Sequence, residues 1–472
     1  MVPKLFARDV TSVRGTNSSI AAHPEAGYPP LNIGQDGPVG EVRVSSLPPA
    51  DRGRAAWQYL CAAFAVELLL WAFPFSYGVM LEYYEEHSIA RTPGASVLLP
   101  SVSPLATGMM YIASPFVLHW CQRRPALRRY FVHAGVAVTT LSLFLAAFAT
   151  QAWHLLATQG LLYGAGGSLL YNPVMIYLQE WFVVKRGLAN GIVFAGTTVG
   201  SVVFPDILRL MLERYGAKTT MLAFAAIIGG LLACTLPFLR GRLVITSSMQ
   251  APAQKRRWIS NFRLPAGKNG QFWLYAVANT CQGFAYFLPG LYVPTFARAI
   301  GLSRSAGSGA LAALNGAGIV SQVIFGLASD KASPHAIAFF NLVVSTMIVF
   351  LLWGLAAYNF AGLLVFSLAF GAFGAGWSCL WMGCIREAVS RILTFSTCIG
   401  ICLSTRGLGG VASAPISAAL RDRPVHVEGS LGLSADEGLA SVIVYVGCML
   451  AVASVAQGLA WRVGNSKSKC TN

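Results

Sequence analysis

Residues 57–81 read WQYLCAAFAVELLLWAFPFSYGVML, a run of 25 residues that carries a single formal charge, Glu67. Roughly 20 consecutive apolar residues cross a bilayer core, so this run predicts a transmembrane helix. Comparable runs recur at 96–120, 130–150, 153–179, 187–212, 218–240, 271–297, 306–329, 335–357, 361–385, 392–420 and 439–462. Composition agrees: of 472 residues, 55% are hydrophobic and 11% charged, against roughly 25% charged in a soluble domain. No water-soluble fold covers that much apolar surface. The expected class is an all-α polytopic membrane protein with twelve transmembrane helices.

The net charge of +16 is no nucleic-acid footprint, because Lys and Arg sit mainly in short gaps between apolar runs. Their excess falls on the side that carries the N-terminus, including Arg123, Arg124, Arg128, Arg129 and the group Lys255, Arg256, Arg257. The positive-inside rule then puts both termini in the cytoplasm. Residues 1–54, rich in Pro, Gly, Ser and charge, are expected to be a disordered cytoplasmic tail. Two six-helix bundles, 55–240 and 271–463, flank a basic cytoplasmic linker at 241–270, and 464–472 is a second short tail. The ten cysteines are scattered and form neither a Cys-x-x-Cys pair nor a Cys/His cluster, so no disulfide framework, metal site or cofactor is expected.

The two halves repeat one another. Glu67 precedes Pro74 by seven residues and Tyr77 follows by three; Gln282, Pro289 and Tyr292 reproduce that spacing. Tyr163-Gly164-Ala165 with Glu180 answers to Phe370-Gly371-Ala372 with Glu387, and Gly200 to Pro205 answers to Gly410 to Pro415. All three offsets lie near 210 residues, which indicates duplication of a half-chain, as transporters show. Glycines crowd the fourth, fifth, tenth and eleventh runs. Lipid provides no hydrophobic drive between helices, so small residues allow close backbone approach; packing alone accounts for any one of them.

Two stretches carry a family resemblance. Asp51-Arg52-Gly53-Arg54-Ala55-Ala56-Trp57 resembles the first signature of the monocarboxylate transporters among the major facilitators, with Arg52 where glycine is usual. Trp181-Phe182-Val183-Val184-Lys185-Arg186-Gly187-Leu188-Ala189-Asn190-Gly191 resembles the second, and the likeness is greatest to the fungal branch. Gly326-Leu-Ala-Ser-Asp330-Lys331 is similar to the facilitator loop motif, whose carboxylate and basic residue pair across helix ends to hold one gating state; the alternative is an ordinary charged helix terminus. The resemblance implies the major facilitator fold, two pseudo-symmetric six-helix bundles. The acid and arginine that well-known members use for proton coupling in the eighth span correspond here to Gly318 and Gln322. Lactate-type proton symport is therefore not carried over.

Ionisable groups at mid-membrane depth are costly and mark function. Glu67 lies mid-way along the first span, and Arg406, which the repeat aligns with Gly196, mid-way along the eleventh. Arg406 is the candidate anion receptor, because a guanidinium stays charged when buried and matches a carboxylate. Glu67 is the candidate proton carrier; a structural Glu–Arg pair, or a carboxyl that only hydrogen-bonds its neighbours, is the alternative. Tyr163 and Asn172, Asn279, Gln282 and Tyr286, Asn315 and Gln322, and Trp377 and Trp381 complete the expected lining, though each taken alone reads more readily as an interhelical hydrogen bond or an interface anchor.

The leading function is a secondary transporter of a small organic anion, most naturally a monocarboxylate, working by alternating access around a midplane site. Proton coupling, import of a vitamin-like aromatic compound and export of a secondary metabolite stay open. No G-x-x-x-x-G-K-[ST], G-x-S-x-G or H-E-x-x-H motif occurs, which argues against an ATP-driven pump and a membrane enzyme. A non-transporting sensor is the rival class, and the short tails speak against it. The expected partners are a small solute, protons and the bilayer, for a monomer in the plasma membrane.

Overall fold

The computed structural model describes residues 48–243, 270–388, 395–422 and 437–471, and within them every regular element is a helix. Most of the expected N-terminal tail and of the basic linker, with Lys255, Arg256 and Arg257, lies outside the described residues. The first series of helices is α1 (Arg54–Glu86), α2 (Ala95–Ile112), α3 (Ser114–Arg123), α4 (Leu127–Ala146), α5 (Ala152–Leu155), α6 (Tyr163–Trp181) and α7 (Arg186–Thr235). The second is α8 (Gly270–Ala299), α9 (Arg304–Ser329), α10 (Pro334–Met347), α11 (Phe360–Gly374), α12 (Trp377–Ala388), α13 (Phe395–Asp422) and α14 (Glu437–Thr471). Wide π-type turns at Leu156–Leu162 and Ile348–Ala356 link α5 to α6 and prolong α10.

Among the described residues, eight helical stretches are long and apolar enough to cross a membrane. Two of the twelve runs expected from sequence fall in one of them, α7, which breaks at Gly216 (φ 73°, ψ 171°) between 187–212 and 218–240. That backbone suits glycine, which has no Cβ to clash. The runs at 153–179, 271–297 and 392–420 form α5–α6, α8 and α13 and are outside the eight. These helices carry Gln159, Asn172, Asn279, Gln282 and Arg406, all buried. Polar side chains at such depth belong inside protein rather than against lipid.

Helix breakers are compensated locally. Pro74 inside α1 has no N–H, which leaves the Leu70 carbonyl without its intrahelical donor. The Tyr163 hydroxyl on α6 donates to that carbonyl at 2.7 Å, and Ser103 on α2 donates to the Pro74 carbonyl at 2.8 Å. Lipid could not satisfy the Leu70 carbonyl, so a protein neighbour must. Helices α4 and α6 touch through glycine: a Cβ on Gly135 would lie 2.6 Å from the Leu170 nitrogen.

The repeat read from sequence reappears as matched contacts. Tyr59 on α1 donates to the Val174 carbonyl of α6 at 2.5 Å, and Tyr275 on α8 donates to the Trp381 carbonyl of α12 at 3.5 Å. Glu180 at the end of α6 binds Arg128 near the start of α4 at 2.8 Å, while Glu387 at the end of α12 accepts from Ser333 beside the start of α10 at 3.1 Å. The membrane end where Arg123–Arg129 and Trp181–Gly187 lie is called the basic end below. Asp51 and Pro48 bond to residues beside the start of α7 and at the start of the 241–270 stretch, and α14 runs from Glu437 to Thr471.

Candidate functional site

Glu67 is fully buried on α1. Its Oε2 accepts from the Thr197 hydroxyl of α7 at 2.8 Å. The Trp71 indole N–H, one turn along the helix, lies beside the carboxyl, and among the described residues neither it nor Oε1 makes a hydrogen bond of normal geometry. No cation binds it. A buried carboxyl with one donor and one open oxygen is an unfinished site, since each missing partner costs about 1–3 kcal/mol.

Arg406 on α13 is 8% exposed. One of its terminal nitrogens donates to Gln282 Oε1 in a short contact. Its guanidinium carbon lies 5.2 Å from the Tyr286 ring centroid and 5.9 Å from that of Phe287. Gly283 permits this: a Cβ there would sit 3.2 Å from the Arg406 Cα. A guanidinium over aromatic faces gains about 0.5–2 kcal/mol, which offsets part of its desolvation but leaves a full positive charge. Arg406 and Glu67 form no ion pair, so the helix-locking Glu–Arg bridge is not formed. The repeat aligns Glu67 with Gln282, and each meets a side chain from a later helix, Glu67 the Thr197 hydroxyl and Gln282 the Arg406 guanidinium, one residue out of register because Arg406 aligns with Gly196.

The remaining expected residues separate into two groups. Tyr286 belongs to the Arg406 centre, and one turn toward the basic end the Trp377 indole donates to Asn279 Oδ1 at 3.3 Å, while Asn279 donates to the Cys402 carbonyl at 2.8 Å. Tyr163 and Asn172 are turned to structural work instead: the first serves the Leu70 carbonyl, and the second donates to Ser168 of its own helix at 2.8 Å. Gln322 on α9 accepts from the Thr198 hydroxyl of α7 at 3.2 Å. Asn315 is half-buried and makes no side-chain hydrogen bond among the described residues. Sequence reading missed Thr197, Trp71, Phe287 and Tyr111, whose ring lies 5.3 Å from that of Trp71 and whose Cβ is 2.8 Å from where a Cβ on Gly407 would sit. All are uncharged, and only the i to i+4 spacing of Glu67 and Trp71 hinted at a shared face.

A second centre lies at the basic end, where all three motif stretches meet. The Asp51 carboxylate accepts from the backbone N–H groups of Val183 at 3.0 Å, Val184 at 3.0 Å and Lys185 at 2.8 Å, while the Asp51 N–H donates to the Trp181 carbonyl at 2.9 Å. Trp57 packs edge-on against Phe182 with ring centroids 6.0 Å apart. Asp51 has φ 59° and Gly53 φ 89°; aspartate tolerates the left-handed region better than most residues and glycine fits it freely. From the other series of helices, Asp330 accepts from the N–H of Gly187 at 2.6 Å and of Leu188 at 2.9 Å. Those amides open α7 and have no intrahelical acceptor, and the helix dipole favours an anion there. Asp330 thus meets main-chain amides where a basic side chain was expected. Lys185 is exposed, Arg186 donates to the Phe182 carbonyl at 2.8 Å, and Asn190 accepts from Gln179 at 3.4 Å. Glycines bring α7 and α9 together: Gly191 faces the Gln322 carbonyl, and Gly187 and Gly326 abut one another.

The sequence profile described as Major Facilitator Superfamily matches residues 59–414. The chain is 25% identical over 374 residues to the MFS transporter asaE of Aspergillus flavus, covering 79% of this chain and 81% of that protein. It is 26% identical over 396 residues to the MFS-type transporter hasB of Aspergillus fumigatus, covering 79% and 84%. Against an MFS-type transporter of Gibberella moniliformis the identity is 24% over 411 residues, covering 87% and 91%. In three dimensions it resembles the crystal structure of the MFS transporter FucP in the outward conformation, with a TM-score of 0.60 and 11% identity over 86% of this chain and 99% of that one.

Proposed function

The chain belongs to the Major Facilitator Superfamily, a family of membrane transporters and not of enzymes, and from that premise we propose that it carries a small organic anion, a monocarboxylate or a close relative, by alternating access. In this reading twelve helices form two six-helix halves, both termini face the cytoplasm and the protein works in the plasma membrane. The motifs at 51–57 and 181–191 support its placement in the monocarboxylate branch.

The observation that carries the proposal is Arg406, a buried cation whose neighbours Gln282, Tyr286 and Phe287 are all neutral. A guanidinium at that depth, with its charge uncompensated, fits an anionic cargo that supplies the counter-charge and leaves again. The rings around it favour a cargo with an aromatic or branched apolar body. Glu67 is the proton site of the scheme. The halves rock about the Arg406 level, and the Asp330 contact with α7 opens and closes at the basic end.

The test is uptake by proteoliposomes of a panel of aliphatic and aromatic monocarboxylates, with and without an imposed proton gradient. Saturable, Arg406-dependent uptake of at least one acid supports the reading. Uptake confined to neutral or cationic solutes overturns it.

A further inference from the structure

Beside the Arg406 seat, one ring from each series of helices meets the other. Phe75, next to Pro74 on α1, and Phe287 on α8 lie with ring centroids 6.3 Å apart and planes 30° to one another. Phe287 is braced by its neighbours. The Arg406 guanidinium lies 5.9 Å from its centroid, the Tyr286 ring stands edge-on to it at 5.1 Å, and one turn beyond Arg406 on α13 a Cβ on Gly410 would meet its Cε2 at 3.3 Å. Phe75 rests on Trp71 at 5.9 Å and is 37% exposed. Because its ring points at the opposite series, that exposure belongs to the space between the two series. The same face of α1 continues away from the basic end: Trp71, Phe75, Gly78 and Glu82 follow at intervals of four, three and four residues, which puts them on one side of a helix. Among the described residues nothing lies within 4 Å of the place of a Cβ on Gly78, and Glu82 reaches Arg304 at the start of α9 at 3.6 Å, both side chains being exposed. Open space therefore adjoins the ring pair on the side away from Arg406.

Resting on the reading of Arg406 as the anion seat, we infer that Phe75 and Phe287 are its specificity-determining residues, and that they select a carboxylate borne on a flat aromatic ring over one borne on a saturated body. A cargo arriving from the open side parts the two rings to bring its carboxylate to the guanidinium. Tilted and edge-on ring pairs with centroids about 4.5–7 Å apart attract one another beyond the area they bury, so parting this pair is unfavourable unless the cargo replaces the contact. An arene slid between the rings makes two such contacts in place of one, with Phe75 on one face and Phe287 on the other, while its carboxylate meets Arg406. A saturated ring is too thick to lie flat against both and has no π-face to offer, so it gains burial alone. The two walls differ in freedom. Phe287, set against Tyr286 and Gly410, is the fixed one. Phe75, exposed and beside a proline that removes a helical hydrogen bond, is the one that yields.

The experiment measures uptake of radiolabelled benzoate and cyclohexanecarboxylate, alike in charge and ring size, by the full-length protein in proteoliposomes. The wild type is expected to take up benzoate with the lower KM. Phe75→Leu and Phe287→Leu, which keep apolar bulk and remove the flat face, are each expected to raise KM for benzoate about five-fold and to leave KM for cyclohexanecarboxylate little changed. Phe75→Tyr, which keeps the ring, is expected to keep the wild-type ratio of the two values. That ratio is read within one protein and does not depend on how much of it is inserted, so a variant that folds in lower yield still gives it. A wild type without preference for benzoate, leucine variants that keep the wild-type ratio, or variants that shift both probes equally overturn the inference while Arg406 keeps its role. Uptake of other carboxylates that depends on Arg406, with benzoate refused, does the same. If no carboxylate shows Arg406-dependent uptake, the seat itself is wrong and the reading of function falls with it.

Discussion

Asp51 and Asp330 both hold the six-residue stretch from Val183 to Leu188 by its main-chain amides. Asp51 takes the amides of Val183, Val184 and Lys185, and Asp330 takes those of Gly187 and Leu188. The first carboxylate precedes α1 and the second follows α9, so the start of α7 is fixed to its own helices by one and to the other series by the other. Asp51 binds the loop that leads into α7 and Asp330 binds amides of its first turn, so of the two only the Asp330 contact joins one series of helices to the other.

Asp330→Ala removes two charge-assisted hydrogen bonds from that junction. The conformer open at the basic end should gain about 1–2 kcal/mol, a shift of roughly 5–30-fold in the two-state population. Modification rates of single cysteines placed at the basic ends of α7 and α9, or spin-label distances across them, read this out. An unchanged population would show that Asp330 does not hold the closed end.

Asp51→Ala should act differently. It leaves Asp330 in place and loosens the turn from 182 to 185, costing about 1–2 kcal/mol of stability. A lower Tm in detergent, with little change in the population measured above, is the expected signature.

Arg406→Ala should abolish saturable anion uptake by a correctly inserted protein, because neither Gln282 nor the rings of Tyr286 and Phe287 carry charge. Arg406→Lys should recover only a fraction, since an ammonium cannot present the planar fork. Normal uptake by the alanine variant would remove the receptor role.

Glu67→Gln keeps an acceptor for Thr197 and removes the titration. Net uptake should lose its dependence on a pH gradient while exchange of pre-loaded substrate continues. Proton coupling that survives this change would belong to another group.

Gly191→Leu tests whether α7 and α9 must touch. The glycine faces the Gln322 carbonyl with no room even for a Cβ, so a large side chain should hold the basic end apart. Reduced uptake together with raised accessibility of Gly187-level cysteines is expected; wild-type transport would mean the contact is dispensable.

Charge made part of this protein legible in advance. Glu67 and Arg406 stood out because an ionisable residue in an apolar run is rare, and the half-chain repeat gave their depth. Gln282 followed from alignment with Glu67. Tyr163 and Asn172 were equally polar and equally deep, yet they satisfy the Leu70 carbonyl and Ser168, since a polar side chain in a helix has two competing uses and composition does not choose between them. Tyr111 was hidden for the opposite reason: it lies uncharged inside the 96–120 run, and only the fold shows the glycine at 407 that lets α13 reach it. Two of the three runs that fall outside the eight apolar spans, α8 and α13, hold Gln282, Tyr286 and Arg406, since polar residues at a site dilute the apolar run that marks a span.

The matched tyrosine contacts, Tyr59 to α6 and Tyr275 to α12, bear on how such a machine acquires a direction. A scaffold made twice from one plan begins with two interchangeable sockets and no preference between them. Placing a carboxylate in one socket and a guanidinium in the other breaks that equivalence with two substitutions, while the joints that make each half stiff stay shared. New cargo specificities can then arise by altering the sockets alone, with the hinges inherited unchanged.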